Sequence, residues 1–234
     1  MINPTTFINQ YVKHNSIDTG LSNFKLYPFQ EEMVNNFDNN KFNICVSSRQ
    51  SGKTSVPLYY LLYRAIFNDF SNIAIFSRNQ QSAHGLLERL KFTYKNISDV
   101  YGLMPPSVVL SNKGTFELSN GSKIIASAMN ESRVVGCSLT DVFLDEFAFV
   151  PYKQAKYFIK LLSPCITTKS KVIITSTKNK GSYFDFLLRY GKKTSNPIVV
   201  GEYNWDVVPG RDEEWKSNII SMIGKENFEG QYVV

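Results

Sequence analysis

A short segment, SRQSGKT (Ser48–Thr54), constrains the fold of this chain more than any other. It follows the apolar, β-rich run FNICVSS and precedes a helix-like stretch, KTSVPLYYLLYRAIFN. A loop between a strand and a helix directs backbone N–H groups and a helix N-terminus at one point, which suits a phosphate group. The Gly-Lys-Thr ending is typical of a P-loop, although Ser47 stands where the pattern G-x-x-x-x-G-K-[ST] has its first glycine.

The residues of this loop have separate predicted roles. Lys53 reaches the β- and γ-phosphates, the Thr54 hydroxyl ligates Mg²⁺, and Gly52 permits a close approach of the backbone. Replacing the first glycine by serine leaves this chemistry in place, because the later residues form most of the cradle. The predicted nucleotide contacts of the loop are Ser48, Arg49, Gln50, Ser51, Gly52, Lys53 and Thr54.

A pair of carboxylates, Asp145 and Glu146, ends the apolar run TDVFLDE. At the end of a buried strand, one carboxylate can hold Mg²⁺ through water while its neighbour polarises an attacking water. Either motif alone has an ordinary structural explanation. A P-loop followed by an acidic pair on strands of one sheet instead favours a nucleoside triphosphatase.

Two further segments fit a nucleotide site less specifically. VIITSTKN ends a buried strand in the hydroxyls of Thr175, Ser176 and Thr177, which could bond to the γ-phosphate or the attacking water. LYPFQEEMV offers Tyr27 to stack on adenine and the Gln30 amide, a donor and an acceptor, to read its edge. An ordinary turn and an ordinary helix start explain these segments equally well.

Apolar strands that alternate with helices predict an α/β domain with a mainly parallel sheet and helices on both faces. Residues 1–205 form this domain, and the polar, loop-rich residues 206–234 form a small linker subdomain. Residues 1–25 read as a helical or irregular lead-in, and 107–128 as an antiparallel, hairpin-like insertion. The predicted strands are Phe42–Ser48, Asn72–Arg78, Thr140–Glu146, Ser170–Ser176 and 196–203, and further helices are predicted at 79–97 and Tyr183–Arg189.

Composition narrows the class of protein but not its function. The net charge of +6, from 26 basic and 20 acidic residues, permits a polyanionic partner without identifying one. Three scattered cysteines and two histidines form no metal-ligand spacing. No apolar run approaches the roughly 18 residues that span a bilayer, and the N-terminus lacks a secretion signal. A reduced, cytosolic setting without membrane contact is the expectation.

The motifs, in this order, resemble the ATPase domain of the large terminase subunit, the genome-packaging motor of tailed bacteriophages and their relatives. The loop of that family commonly reads S-R-Q-x-G-K-[ST], so the serine at the first glycine position and the internal arginine are family features. The resemblance runs from about Leu26 to the C-terminus. It implies a P-loop NTPase of the ASCE, RecA-like type, with ATP and Mg²⁺ as cofactors.

The resemblance also implies roles for particular residues. Asp145 matches the magnesium aspartate, and Glu146 matches the catalytic glutamate. Arg49 resembles the loop arginine assigned to γ-phosphate sensing or transition-state stabilisation, and Arg133 resembles an arginine that serves a neighbouring subunit. Tyr27 and Gln30 match the adenine segment, and Thr175, Ser176 and Thr177 match the coupling motif, whose usual proline is Lys178 here.

The resemblance finally implies partners and a setting. Double-stranded DNA, the portal or procapsid and the small terminase subunit would be the partners, in the cytoplasm of the host cell. A homo-oligomeric ring would form on the procapsid from a protein that is monomeric in dilute solution. The nuclease that normally follows in this family is expected to be absent, and with it any nuclease activity. Two alternatives stay open: the first motor domain of a nucleic-acid helicase, and an ATP-binding scaffold with little turnover.

Overall fold

The computed structural model describes residues 2–16, 20–97, 102–129, 138–193 and 196–234. Its helices are α1 (Pro4–Tyr11), α2 (Pro28–Asn39), α3 (Ser55–Phe67), α4 (Gln80–Lys95), α5 (Tyr152–Leu162), α6 (Tyr183–Gly191), α7 (Glu213–Ile223) and α8 (Lys225–Tyr232). Its strands are β1 (Lys13–Ser16), β2 (Gly20–Asn23), β3 (Phe42–Ser47), β4 (Asn72–Ser77), β5 (Val108–Asn112), β6 (Thr115–Leu118), β7 (Lys123–Ala128), β8 (Leu139–Leu144), β9 (Ile166–Ser176) and β10 (Ile198–Tyr203).

One eight-stranded sheet, in the order β10-β3-β9-β8-β4-β7-β6-β5, organises the fold. The strands from β10 to β7 pair in parallel, and β6 and β5 continue the sheet antiparallel. Strands β1 and β2 form a separate antiparallel hairpin. The predicted mainly parallel α/β architecture is therefore confirmed. Because β9 lies between β3 and β8, the strand ends that bear Ser47, Ser176 and Leu144 lie side by side.

Helices cover both faces of the sheet, which explains why its central strands are apolar throughout. Alternate residues of β4 illustrate this: Ile73 and Ile75 belong to the core formed with α1 to α4, and Ala74 and Phe76 to the core formed with α5 and α6. Successive side chains of a strand point to opposite faces, so both sets are buried. The sheet is thus held rigidly between two helical layers.

Several elements differ from the sequence-based prediction. The lead-in contains α1 and the β1–β2 hairpin, and helix α5 was not predicted. Helix α2 begins inside LYPFQEEMV, where a helix start was one of the two interpretations. The segment 107–128 is antiparallel as predicted, from β5 through β6 to β7. It is nevertheless part of the main sheet, because β7 pairs in parallel with β4 and buries Ile124 and Ala126 in the core. Strand β8 ends at Leu144, so the acidic pair follows the strand directly.

The C-terminal residues pack against the loop that follows β3. Helices α7 and α8 share an aromatic cluster with Trp205, in which Trp215 stacks on Trp205 and Phe228 packs against both rings. The Arg49 N–H donates to the Gln231 carbonyl at 3.0 Å. The division at residues 205 and 206 stays a prediction. No helix within the described ranges has the length and apolar character needed to cross a bilayer.

Candidate functional site

The predicted P-loop connects β3 to α3 and takes a conformation that requires glycine at one position. Gly52 has φ +85°, and a Cβ atom there would lie 2.5 Å from Nε2 of Gln30. Gln50 also has a positive φ, 57°, a region that most residues other than glycine rarely adopt. The Gly52 position therefore admits no side chain, for reasons of both backbone strain and space.

Side chains beneath the loop fix its shape. The Ser51 hydroxyl donates to the Ser48 carbonyl at 2.8 Å and lies 3.1 Å from the hydroxyl of Ser47, the serine in the first glycine position. The Gln30 amide donates to the Ser51 carbonyl at 2.9 Å and accepts from the Tyr27 N–H at 3.1 Å. The structure thus places Gln30 as a buried brace of the loop and leaves the Tyr27 ring partly exposed. Their contacts with adenine stay predictions.

Asp145 is the centre of the polar network at the edge of the sheet. The hydroxyls of Thr54 and Thr175 each donate to its Oδ1 atom at 3.1 Å, although Thr54 lies 91 residues before Asp145 and Thr175 lies 30 residues after it. Burial, and next the charge of Glu146, raise the pKa of Asp145 to about 6. The two hydroxyls and Lys53 oppose this rise because they favour the ionised form. Folding therefore assembles two predicted metal-site residues with one predicted coupling residue.

Glu146 stands beside the predicted phosphate-binding lysine. Its Oε1 atom lies 3.5 Å from Nζ of Lys53, and its backbone is left-handed, with φ 55°. A non-glycine residue in this region is strained, and such strain is concentrated at functional sites. The side chain of Glu146 is about one-third exposed, whereas that of Lys53 is nearly buried. A carboxylate in this position is accessible to a water molecule that lies near the loop.

An open cavity of about 420 Å³ joins the loop to the acidic pair. Three cationic side chains line it: Lys53, the exposed Arg49, and Arg78, which the sequence analysis did not select. Arg78 follows β4, a neighbour of β8, so the carboxyl ends of adjacent parallel strands bring it to the same edge. The remaining lining residues are Gln50, Ser77, Ser82, Asp145, Glu146 and Phe149.

Ser176 and Asn179, which follow Thr175 in the predicted coupling segment, contact the turn after Glu146. The Ser176 hydroxyl accepts from the Ala148 N–H at 3.2 Å, and the Asn179 amide donates to the Ala148 carbonyl at 2.8 Å. Thr177 is buried next to them in sequence. The motif thus links the end of β9 to the acidic pair, and contacts of its hydroxyls with phosphate stay predictions.

Two further arginines remain: Arg133, which was predicted as a site residue, and Arg211, which was not. Arg133 lies outside the described residues. Arg211, which no local pattern identifies, donates to the Ser48 hydroxyl and to the Gln50 carbonyl, each at 3.3 Å. Its guanidinium lies 4.7 Å from the centre of the Trp215 ring, and burial lowers its pKa. Only the tertiary structure connects this arginine with the loop.

The residues present fit a magnesium ion that is bound together with a nucleotide. Mg²⁺ prefers oxygen ligands and usually combines one or two protein groups with phosphate oxygens and water. The Thr54 hydroxyl and the Asp145 carboxylate supply such oxygens at one point. Among the described residues, no group of three or more His, Cys, Asp or Glu side chains could hold a metal ion alone. This set of oxygen donors suits a metal ion that binds as a complex with nucleotide phosphates.

Solved structures of bacteriophage large terminases share this fold. The ATPase domain of the large terminase of Thermus phage P74-26 superposes with a TM-score of 0.69 at 20% identity, over 89% of this chain and 93% of that one. The large terminase of bacteriophage HK97 gives 0.78 at 16% identity, over 99% of this chain and 54% of that one. The large terminase of a thermophilic bacteriophage in complex with ADP gives 0.66 at 14% identity, over 89% and 53%.

A family model supplies the assignment at the level of sequence. The family described as terminase large subunit, T4likevirus-type, N-terminal, matches residues 44–190. The match covers more than half of the chain and contains the P-loop, the acidic pair and the segment after β9. The chain spans about half the length of the two longer terminases above. It belongs to the family of terminase large subunits, of which it represents the N-terminal, P-loop-containing part.

Proposed function

We propose that this chain hydrolyses ATP with Mg²⁺ and that hydrolysis drives translocation of double-stranded viral DNA into a procapsid. One observation supports this most directly: Lys53, Asp145 and Glu146 line a single cavity, in which Lys53 lies 3.5 Å from Glu146, and the Thr54 hydroxyl donates to Asp145 at 3.1 Å. Terminase relatives with the same fold have been solved with ADP and with ATP-gamma-S. The family assignment fits a DNA-packaging motor.

Nucleotide binding follows from the loop. The N–H groups of the later loop residues and of the start of α3 would face the phosphates, where the helix dipole favours negative charge. The N–H groups of Ser48 and Arg49 are instead bonded to the carbonyls of Tyr203 and Gln231. Lys53 is paired with Glu146 in the structure, so phosphate oxygens would compete for its ammonium group. Binding of the triphosphate would therefore free the Glu146 carboxylate. Thr54 and Asp145 would hold Mg²⁺, which supplies positive charge at the phosphate oxygens when bound.

Glu146 is the residue we assign to proton abstraction. Its carboxylate would accept a proton from the attacking water, while the guanidinium of Arg49 would offset charge that grows on the transferred phosphoryl group. Asp145 already accepts hydrogen bonds from two hydroxyl groups and is nearly buried, so it is less suited to accept the proton. The two neighbouring carboxylates thus divide metal binding and base catalysis between them.

Arg133 would act in trans. As a finger from a neighbouring subunit it would stabilise the same transition state, in a homo-oligomeric ring on the procapsid whose subunits are monomeric in dilute solution. The portal and the small terminase subunit would be further partners, in the cytoplasm of the host cell. The absence of nuclease activity from this chain is part of the same proposal.

The variant Glu146→Gln tests the catalytic assignment. We expect it to bind Mg-ATP like the parent while turnover falls about 10²- to 10⁴-fold, because the amide cannot accept the proton. Turnover is measured by phosphate release, and nucleotide affinity by a fluorescent ATP analogue. Glu229→Gln, on the exposed side of α8, is the matched control. Normal hydrolysis by Glu146→Gln would contradict the assignment. ATP turnover measured with and without duplex DNA distinguishes a DNA-packaging motor from an ATP-binding scaffold with little turnover.

A further inference from the structure

The positive charge of this chain is concentrated in one segment. Residues 147–193 contain ten Lys and Arg residues and one acidic residue, Asp185, whereas the rest of the chain has 16 basic and 19 acidic residues. The whole positive excess of the protein therefore comes from a segment that includes α5 and α6. A local excess of this kind attracts a polyanion more strongly than the net charge suggests.

The fold displays most of this charge on one surface. Helices α5 and α6 pack against each other on the same face of the sheet and bury their apolar sides in its core. Their opposite sides, together with residues 192–193 after α6, form what we name the α5–α6 surface. Its exposed basic side chains are Lys153, Lys156, Lys160, Arg189, Lys192 and Lys193.

Three lysines of α5 form a linear row within this surface. Lys153, Lys156 and Lys160 recur at intervals of three and four residues, so they lie on one side of the helix over about 10 Å. In the described part of the chain, no carboxylate lies within salt-bridge distance of them, whereas Lys192 is paired with Glu202 at 2.7 Å. The row is thus available to an external partner.

Aromatic rings accompany the lysines. Tyr157 lies within the row and is 61% exposed, and Tyr152, Phe186 and Tyr190 are also exposed. Phe186 stacks in parallel on Tyr190, and the Tyr152 ring meets that of Tyr183 edge-on at 5.3 Å, so the rings bridge the two helices. Exposed tyrosines next to lysines suit a partner that offers phosphate and sugar oxygens, to which both residue types donate hydrogen bonds.

We propose that the α5–α6 surface contacts the phosphate backbone of double-stranded DNA. One strand of the duplex presents a phosphate about every 3.4 Å along the axis, so a row of about 10 Å matches about three phosphates. The inference rests on the proposed function, since it identifies the surface by which the motor domain holds its substrate. The turn at 147–149 joins Glu146 to α5, which places this surface next to the catalytic carboxylate in the chain.

The test compares two triple variants of equal charge. Lys153→Gln, Lys156→Gln and Lys160→Gln are combined in one protein; Lys95→Gln, Lys123→Gln and Lys225→Gln, which are exposed on other elements, are combined in the control. Glutamine has a helix propensity similar to that of lysine and carries no charge. Affinity for a labelled duplex of mixed sequence is measured by fluorescence anisotropy across a range of salt concentrations. Circular dichroism checks that both proteins are folded.

The α5 variant is expected to lose about 10-fold or more in affinity near 0.1 M salt, and the slope of log affinity against log salt should flatten by about 0.9 for each lost phosphate contact. The control should keep the slope of the parent. If the α5 variant binds DNA with the affinity and the salt slope of the parent, the proposal is overturned, and an acidic protein becomes the better candidate partner for this surface. ATP turnover without DNA should be equal in parent and variants. If the parent protein does not hydrolyse ATP, the proposed function fails. The comparison of DNA affinities is then still valid, because it does not depend on ATP hydrolysis.

Discussion

The hydrogen bond between Thr175 and Asp145 should control magnesium affinity, and Thr175→Val is the variant that shows this. Thr175 is fully buried, and its hydroxyl donates to Asp145 Oδ1 at 3.1 Å. Valine preserves the branched shape and the fit in β9 and removes only the hydroxyl. The sequence predicts a phosphate contact for Thr175, whereas the structure shows a bond to the predicted metal ligand. The variant separates these two roles.

The expected magnitude follows from the charge of the acceptor. A hydrogen bond to an ionised group contributes about 1.5–3 kcal/mol, which corresponds to about 10- to 100-fold in an equilibrium constant. Loss of a group that orients a metal ligand typically weakens metal binding by the same factor of about 10–100. We therefore expect Thr175→Val to need about 10- to 100-fold more Mg²⁺ for nucleotide binding.

The pH dependence should change in a defined direction. Burial and Glu146 raise the pKa of Asp145 to about 6, and the Thr175 hydroxyl opposes that rise. Only the ionised carboxylate binds the metal, so Mg²⁺ affinity should fall as the pH falls through about 6 in the parent. Without the hydroxyl the pKa rises further, and the loss of affinity should begin at a higher pH in the variant.

The assay is titration of a fluorescent ATP analogue with Mg²⁺ at a series of pH values. Thr168→Val, on an exposed position of the same strand, is the control and should match the parent. Unchanged Mg²⁺ affinity in Thr175→Val, combined with weaker discrimination between ATP and ADP, would refute the reasoning and favour γ-phosphate sensing instead.

Three other variants have defined outcomes. Lys53→Ala should nearly abolish nucleotide binding, because its ammonium is the one that the loop directs at the β- and γ-phosphates; unchanged affinity for the ATP analogue would remove the loop from the mechanism. Arg64→Met should lower the free energy of unfolding by about 3–5 kcal/mol at neutral pH, since it leaves the buried Asp141 carboxylate without its guanidinium partner at 3.0 Å. Burial already raises the pKa of Asp141, so this loss should shrink as the pH falls and the carboxyl is protonated; a loss that is independent of pH in urea titrations would contradict the charge argument. Arg211→Gln should accelerate amide exchange in α7 and α8 about 10-fold, because two hydrogen bonds to the P-loop and the contact with Trp215 are lost. Arg189→Gln, on the exposed side of α6, is the control. Equal exchange rates in both variants would show that Arg211 does not anchor the two helices.

The sequence alone determined the local chemistry of the site. A P-loop is contiguous, so Ser48–Thr54 already specifies its glycine, its lysine and the hydroxyl predicted to bind metal, and the structure places this segment between β3 and α3 as predicted. The same holds for the acidic pair, because an apolar run that ends in two carboxylates identifies a buried strand and its carboxyl end. Order and spacing of these motifs also sufficed for the family.

Tertiary structure alone decided which of these segments meet. Thr175 lies beside Asp145 because β9 is inserted between β3 and β8, and strand order depends on the packing of both helical layers rather than on local periodicity. The role of Gln30 as a brace under Gly52, the junction of Arg211 with the P-loop and the place of β5 to β7 in the main sheet have the same origin. Each is a contact between residues far apart in the chain, and a single sequence read for local patterns contains no signal for such pairs.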